Sequence, residues 1–381
     1  MRSLMVGLVA AVATSVSLPL AVPAGAAGMA QQIVEMKGAT TGGKFGASVA
    51  IAGDELVVGA TGYDPYGGTA YLFTKTTGAW KETVQLRAPG VTSHDLFGGA
   101  VALASSFVVV GAPYAASTGR AYVFAKTALG WRQTAELKGS GTGAADSLGS
   151  SVAASGTTIV IGAPWHGSGR AYVFAKTAAG WRQTAELTGP GATRNGDEFG
   201  SAVSISGATI AVGALGADRA YLFAKTTTGW RQTAELSDPG THAGNYFGAS
   251  IALSPAPGDE VVVGDPTFAG WTGRAYVFAR TATGWHRAAE LEGTGTGQLD
   301  EFGGSVALSG NSAVIGASGA SRAYVFSHTT NGWRQSAVLK GGDTVFGDWF
   351  GVSVAASGTA IVVGAQLANR AYVFSSGEPE G

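Results

Sequence analysis

The sequence predicts an all-β protein: a seven-bladed β-propeller of four-stranded antiparallel blades, closed by its own N-terminal strand. Three observations predict it. A set of short apolar landmarks returns seven times along the 381 residues, and a regular period of about 50 residues marks a repeat architecture. Each landmark has the length and residue types of a strand, and no segment longer than a turn shows helical period. The last repeat lacks its fourth strand, and a loose copy of that strand stands near the N-terminus.

In chain order, residues 1–26 read first, as a secretory signal peptide. Arg2 supplies the positive charge, Leu4 to Leu20 is largely apolar, and Ala24-Gly25-Ala26 fits cleavage between small residues. The competing reading is an uncleaved anchor. Ser, Thr and Pro19 break that run, which falls short of the about 20 residues a span needs. The expectation is a secreted, extracellular protein with no membrane span after cleavage, either free or held at the cell surface. The propeller domain is expected over 27–375, with a short tail at 376–381. A net charge of -1 gives no electrostatic reason to expect nucleic acid as partner. With no cysteine, disulfides and thiolate metal sites are excluded.

Each unit opens on a Phe-Gly pair or a close relative: Phe45-Gly46, Phe97-Gly98, Leu148-Gly149, Phe199-Gly200, Phe247-Gly248, Phe302-Gly303 and Phe350-Gly351. The strand that follows is built from small residues (Ser150 to Ala154, for example), which suits the crowded axis of a ring. The second strand is a β-branched or aromatic run, such as Phe107 to Val110 or Val261 to Val263, and ends in Gly-Ala-Pro or a variant. The third is Ala-Tyr-Val/Leu-Phe, apolar at successive positions, as expected when both faces are covered. The fourth alternates: Trp131, Gln133, Ala135 and Leu137 against Arg132, Thr134 and Glu136. Charges on one side suit an outer edge that must not pair with a neighbour.

Closure follows from a missing piece. The seventh unit ends at Phe374 without a Trp strand, while Val34-Glu35-Met36-Lys37-Gly38 aligns with Ala135-Glu136-Leu137-Lys138-Gly139. The N-terminal strand is expected to complete the last blade.

Phe-Gly at the start, Gly-Ala-Pro in the middle and seven units in phase resemble the FG-GAP repeat of integrin alpha-subunit propellers and of many secreted bacterial proteins. The resemblance covers about 31–374. It implies a binding or adhesion function, and calcium in the loop between strands one and two of several blades. The sequence departs from that second implication. Turns such as Ser155-Gly156, Ser206-Gly207, Ser309-Gly310 and Ser357-Gly358 carry no carboxylates, and calcium needs six to eight oxygen ligands. No cofactor is expected, calcium included.

An acid, or Asn245 in its place, recurs two residues before the opening Phe or Leu (Asp95, Asp146, Asp197, Asn245, Asp300, Asp348), and an Arg recurs at the start of strand three (Arg120, Arg170, Arg219, Arg274, Arg322, Arg370). They are expected close together, as ion pairs or turn caps, or else as a ring of charged ligands.

The connections sort into two faces. Turns one–two and three–four hardly vary in length, whereas the two–three loops do, and function usually lives on variable loops held by a rigid frame. Six of the nine Trp occupy the repeated strand-four position; Trp165, Trp271 and Trp349 fall in loops of the variable face. Tyr63, Tyr66, Tyr114, His166 and Phe268 join them there. These eight are the candidate ligand-binding residues, since exposed rings with sparse charge suit sugar stacking or a protein hot spot. The alternative is that they pack their own loops. The partner is expected to be an extracellular protein or glycan, met by a monomer. Catalysis finds little support: there is no Gly-x-Ser-x-Gly elbow or His-Glu-x-x-His. A hydrolase or lyase at the channel mouth, using Asp64, His94, His166, Asp218 or Asp265, is the competing reading, and a surface module without a defined ligand is a third.

Overall fold

The computed structural model describes residues 30–38, 42–62, 67–190, 194, 196–238 and 244–376. The signal segment, Tyr63, Asp64, Tyr66 and most of the tail lie outside the described residues. Seven antiparallel sheets of four strands each form the molecule. Blade one is β2 (Phe45–Ala52), β3 (Glu55–Ala60), β4 (Thr69–Thr76) and β5 (Ala79–Leu86), paired in chain order. β1 (Gln31–Lys37) precedes it and belongs elsewhere. It pairs with Arg370–Ser375 of the seventh blade, so that sheet holds the first and last strands of the fold.

The closing strand reproduces the fourth-strand register. Glu35 faces Tyr372 and Met36 faces Ala371, just as Glu136 faces Tyr122 and Leu137 faces Ala121 in blade two. Met36 is buried in a cluster that joins the last blade to the first. All seven core clusters share this plan, each drawing on two neighbouring blades. Val57 and Leu72 of blade one, for instance, pack on Phe97, Val108 and Tyr122 of blade two.

The opening Phe of six units, like Leu148 of the third, is fully buried, which contributes about 2–3 kcal/mol per ring. It meets the Tyr and Phe of strand three at tilted or edge-on angles, with Phe45 5.2 Å from Tyr71 and 6.2 Å from Phe73. The glycine after it is the third residue of a turn closed from the fourth amide to the first carbonyl, as in Gly99 to Leu96 (2.9 Å) and Ser150 to Ser147 (3.1 Å). Its φ lies between +89° and +95° in all seven units, a conformation that a type II turn reserves for glycine.

A second reason for glycine is contact between blades. A Cβ on Gly162, at the end of strand two, would collide with the carbonyl of Gly200 in the next blade. The same clash recurs in all seven spaces, ending with Gly364 against Gly46. In five blades a serine of strand one completes the joint, as Ser151 Oγ donates to Gly200 O at 2.8 Å. The first strands of the seven blades ring a narrow channel of ≈ 230 Å³ lined by glycine, alanine and serine together with a valine or isoleucine from each blade.

The turns between strands three and four hold two residues in all six blades whose strands run consecutively, and those between one and two hold two residues in every blade but the fifth. The two–three loops hold eight, seven, six and eight residues in blades one, two, three and five, and four in the others. Strand four alternates between half-buried and exposed positions over Gly130–Leu137. No residue pattern announces the bulge that every three–four pair carries near its middle, between Val123 and Phe124 in blade two.

The repeated acids and arginines part company. Asp95, Asp146, Asp197, Asp300 and Asp348 each accept from a backbone amide three residues earlier and so cap their own turns. Four of the arginines pair instead with the glutamate of strand four, Arg120–Glu136 and Arg170–Glu186 at 2.9 Å, Arg219–Glu235 at 3.0 Å, and Arg274–Glu290, while in the blade of Arg322 the glutamate's place is taken by Val338. Arg370 pairs with Glu35 of the closing strand at 2.9 Å. These are partly exposed pairs, each worth about 1 kcal/mol or less. Arg370 also reaches Asp343.

Candidate functional site

The face that carries the two–three loops also carries the connections from strand four of one blade to strand one of the next. Immediately before each opening Phe or Leu148 stands a residue with left-handed backbone: Lys44, Leu96, Ser147, Glu198, Tyr246, Glu301 and Trp349, with φ between 52° and 60°. Seven side chains of six residue types are thus held at the head of the innermost strands by one repeated backbone geometry. Burial raises the Glu198 carboxyl, and Glu301 accepts from Ser318 Oγ at 2.6 Å.

Every large aromatic ring exposed among the described residues sits on this face: Tyr114, Trp165, Tyr246, Trp271, Phe346 and Trp349. The strand-four tryptophans are buried or half-buried, as Trp181 shows by packing its ring 5.0 Å from Phe107.

Tyr114 and Trp165 line one open cleft of ≈ 670 Å³, together with Ser117, Ala144, Ala145 and Ser147. Tyr114 belongs to the two–three loop of blade two and Trp165 to that of blade three; residues 144–147 run between them from blade to blade. The Ala145 amide donates to Ser117 O at 2.7 Å, and Leu148 donates to Thr118 O at 3.2 Å, tying the blade-two loop to that connection. His166 ties down the other side, its Nδ1 lying 2.5 Å from Asp146 Oδ2. His166 therefore fixes the loop that carries Trp165.

The remaining candidates separate. Trp271 meets Tyr246 edge-on at 6.4 Å. Phe268 is half-buried beneath the Arg274 guanidinium, 3.9 Å from its ring centre, and so packs its own blade. Trp349 lies in blade seven's connection near the exposed Val345 and Phe346, which is 86% exposed. The exposed Leu367 joins them through its amide bond to Asp348 O at 3.3 Å. Tyr63 and Tyr66 fall outside the described residues. Tyr246 escaped the sequence reading, although it shares Trp349's position in the repeat. Ser117 and Ser147 carried no signal of their own.

Of the acids grouped with a possible channel-mouth chemistry, Asp218 and Asp265 come together. Asp265 occupies the place that is alanine in the other six units (Ala60, Ala112, Ala163, Ala214, Ala317, Ala365). It is fully buried, and neither carboxylate oxygen makes a well-formed hydrogen bond within the protein. Desolvation, reinforced by Asp218 and Asp238, pushes its carboxyl up to about 8 against the opposing pull of the Phe268 amide and Arg274. Asp218 accepts from the Gly244 amide at 2.9 Å through one oxygen, and its other oxygen is buried without a partner. Among the described residues no three His, Cys, Asp or Glu side chains gather to hold a metal ion, and no helix is long and apolar enough to cross a membrane.

A family model described as FG-GAP repeat matches residues 31–73, 80–124, 131–174, 181–223, 285–326 and 333–377, six of the seven units. The unit it passes over is the fifth, which contains Asp265. No curated protein matches the chain. Among solved structures, a chain of the Mitotic Checkpoint Complex superposes with a TM-score of 0.60 at 12% identity, covering 86% of this chain and 88% of that one. The periplasmic gluconolactonase of Pseudomonas aeruginosa gives 0.56 at 14% identity, covering 81% and 92%. The structure of U3-55K gives 0.56 at 14%, covering 84% and 92%. Likeness at such identity shows a shared fold.

Proposed function

The chain belongs to the FG-GAP repeat family, and from that premise we propose that it is a secreted, monomeric, non-catalytic binding propeller. Its variable face recognises an extracellular protein or glycan and needs no metal. The observation that carries this reading is the confinement of the exposed aromatic rings to one face. Rings at loop positions offer large contact area at little entropy cost and concentrate binding energy. A fold shared with a gluconolactonase and with part of a checkpoint complex is compatible with catalysis and with binding, so the argument rests on the site.

Binding to arrayed extracellular proteins and glycans tests the reading, using Trp165→Ala, Trp271→Ala and Trp349→Ala beside Leu129→Ala in a three–four turn of the opposite face. Loss in at least one aromatic variant, with Leu129→Ala unaffected, is expected. Full binding by all three aromatic variants would overturn the assignment of the face. A hydrolase reading has one specific support, the His166–Asp146 pair next to Trp165. Release of product from arrayed glycans or esters, abolished by His166→Gln, would establish it instead.

A further inference from the structure

Resting on that reading, we propose that the cleft between blades two and three is a subsite for a neutral sugar unit, stacked against Trp165 and Tyr114. The first argument is internal to the repeat. Tyr114 and Trp165 occupy one position, the residue directly after Gly-Ala-Pro. Blades one, four and six carry glycine there (Gly62, Gly216, Gly319), where a Cβ would collide with backbone of the adjoining connection. Blades five and seven carry Thr267 and Leu367 there; blades two and three, nearly identical in strands three and four, place a large aromatic ring at the position. The rings, 53% and 56% exposed, project into one shared cleft.

The chemistry of the lining selects the ligand. The cleft of ≈ 670 Å³ lies within the range of small-molecule sites. Its six lining residues are two aromatics, two alanines and two serines, with no group charged at neutral pH. The C–H face of a pyranose is apolar and weakly positive, which matches the negative face of an aromatic ring. Its hydroxyls need partners. The exposed Ser117 hydroxyl bonds to no protein atom and can turn toward a ligand, while the buried Ser147 hydroxyl has a 3.4 Å approach to Ala145 O. An acidic sugar would find no cation in the lining and would lie close to Asp146. A protein partner needs roughly 800 Å² on each side, more than a six-residue cleft supplies. The hydrogen bonds from Ala145 to Ser117 and from His166 to Asp146 fix both loops in advance, so little ordering cost falls on binding.

Calorimetry with neutral gluco-, galacto-, manno- and xylo-oligosaccharides, against polygalacturonate, tests the proposal on the full chain. At least one neutral series should bind. Trp165→Ala and Tyr114→Ala should each weaken it about tenfold or more, which is about 1.4 kcal/mol. Ser117→Ala should weaken it a few-fold, and Leu129→Ala, in a three–four turn of the opposite face, not at all. Unchanged melting of each variant separates loss of binding from loss of fold. Preference for polygalacturonate, equal binding by Trp165→Ala and Tyr114→Ala, or no saccharide bound at millimolar concentration would each overturn the proposal. If no saccharide binds but a purified protein ligand is lost in Trp271→Ala or Trp349→Ala, the sugar subsite falls and the binding face stands.

Discussion

Replacing Asp265 with alanine, the residue the other six blades carry, should stabilise the protein and remove most of its pH dependence between pH 4 and 8. The carboxyl is held at about 8 in the fold against an ordinary value near 4 in the unfolded chain. The folded state therefore keeps a proton that the unfolded state releases. The contribution of this group to stability is greatest below about pH 4, falls as the pH rises toward 8, and levels off above it. At 1.36 kcal/mol for each pH unit, the whole interval corresponds to about 5 kcal/mol, and about 4 of these are already lost at pH 7. Asp265→Ala removes this loss, and alanine fits the site, since its six counterparts are buried with at most 6% exposure. Urea unfolding at pH 5, 6, 7 and 8 measures both slopes. The wild type should lose several kcal/mol across that series and the variant about 1 or less; Asp265→Asn should flatten the profile in the same way. A wild-type stability that holds level or rises from pH 5 to 8, or a variant less stable at pH 8, would refute the reasoning.

The other predictions concern the frame. Deleting 27–38 removes the fourth strand of the last blade and should abolish cooperative unfolding, since Met36 and the Arg370–Glu35 pair go with it; a calorimetric transition that survives unchanged would contradict closure. Gly162→Ala should cost about 3 kcal/mol by overpacking against Gly200 O, read as a shift in the urea midpoint. Ser151→Ala, which removes one hydrogen bond to the same carbonyl, should cost about 1 kcal/mol, because blades two and four already carry Ala100 and Ala202 there. Millimolar calcium should leave the melting temperature where it is; a rise would place a metal site on the protein.

The fold was legible because it is written seven times. Phe-Gly, the glycine ending strand two, the Tyr strand and the Trp strand each imply a strand or turn by residue type, and their common phase assigns order and blade number. Even the closing strand could be found, because Glu35 and Met36 repeat the spacing of Glu136 and Leu137. The site was less legible. Trp165 and Tyr114 stood out as rings in loops, but nothing in their spacing showed that two blades share one cleft. His166 looked like a ligand residue, and Phe268 like an exposed ring; their partners, Asp146 and Arg274, are apparent only in three dimensions. Pairing of the repeated Asp with the repeated Arg also misled. Both start at one end of a blade, yet the arginine side chain lies across strand four, where Glu136 and its counterparts face it.

Repetition also separates two kinds of departure from the common unit. Where blades must touch, Gly162 against Gly200 and its six equivalents admit no side chain, so variation is excluded by contact. On the variable face the backbone is fixed and the side chain is free. The position before the opening Phe is left-handed in all seven units, yet it holds Lys44, Leu96, Ser147, Glu198, Tyr246, Glu301 and Trp349. A departure there costs the frame little and changes only what the surface offers. Asp265 is the opposite case, a departure inside the frame that carries a desolvation penalty. Such a residue persists when stability is in surplus or when the buried acid itself is used. The binding assay of the cleft variants, repeated in Asp265→Ala, distinguishes the two: unchanged affinity places Asp265 in the first class, and altered affinity places it in the second.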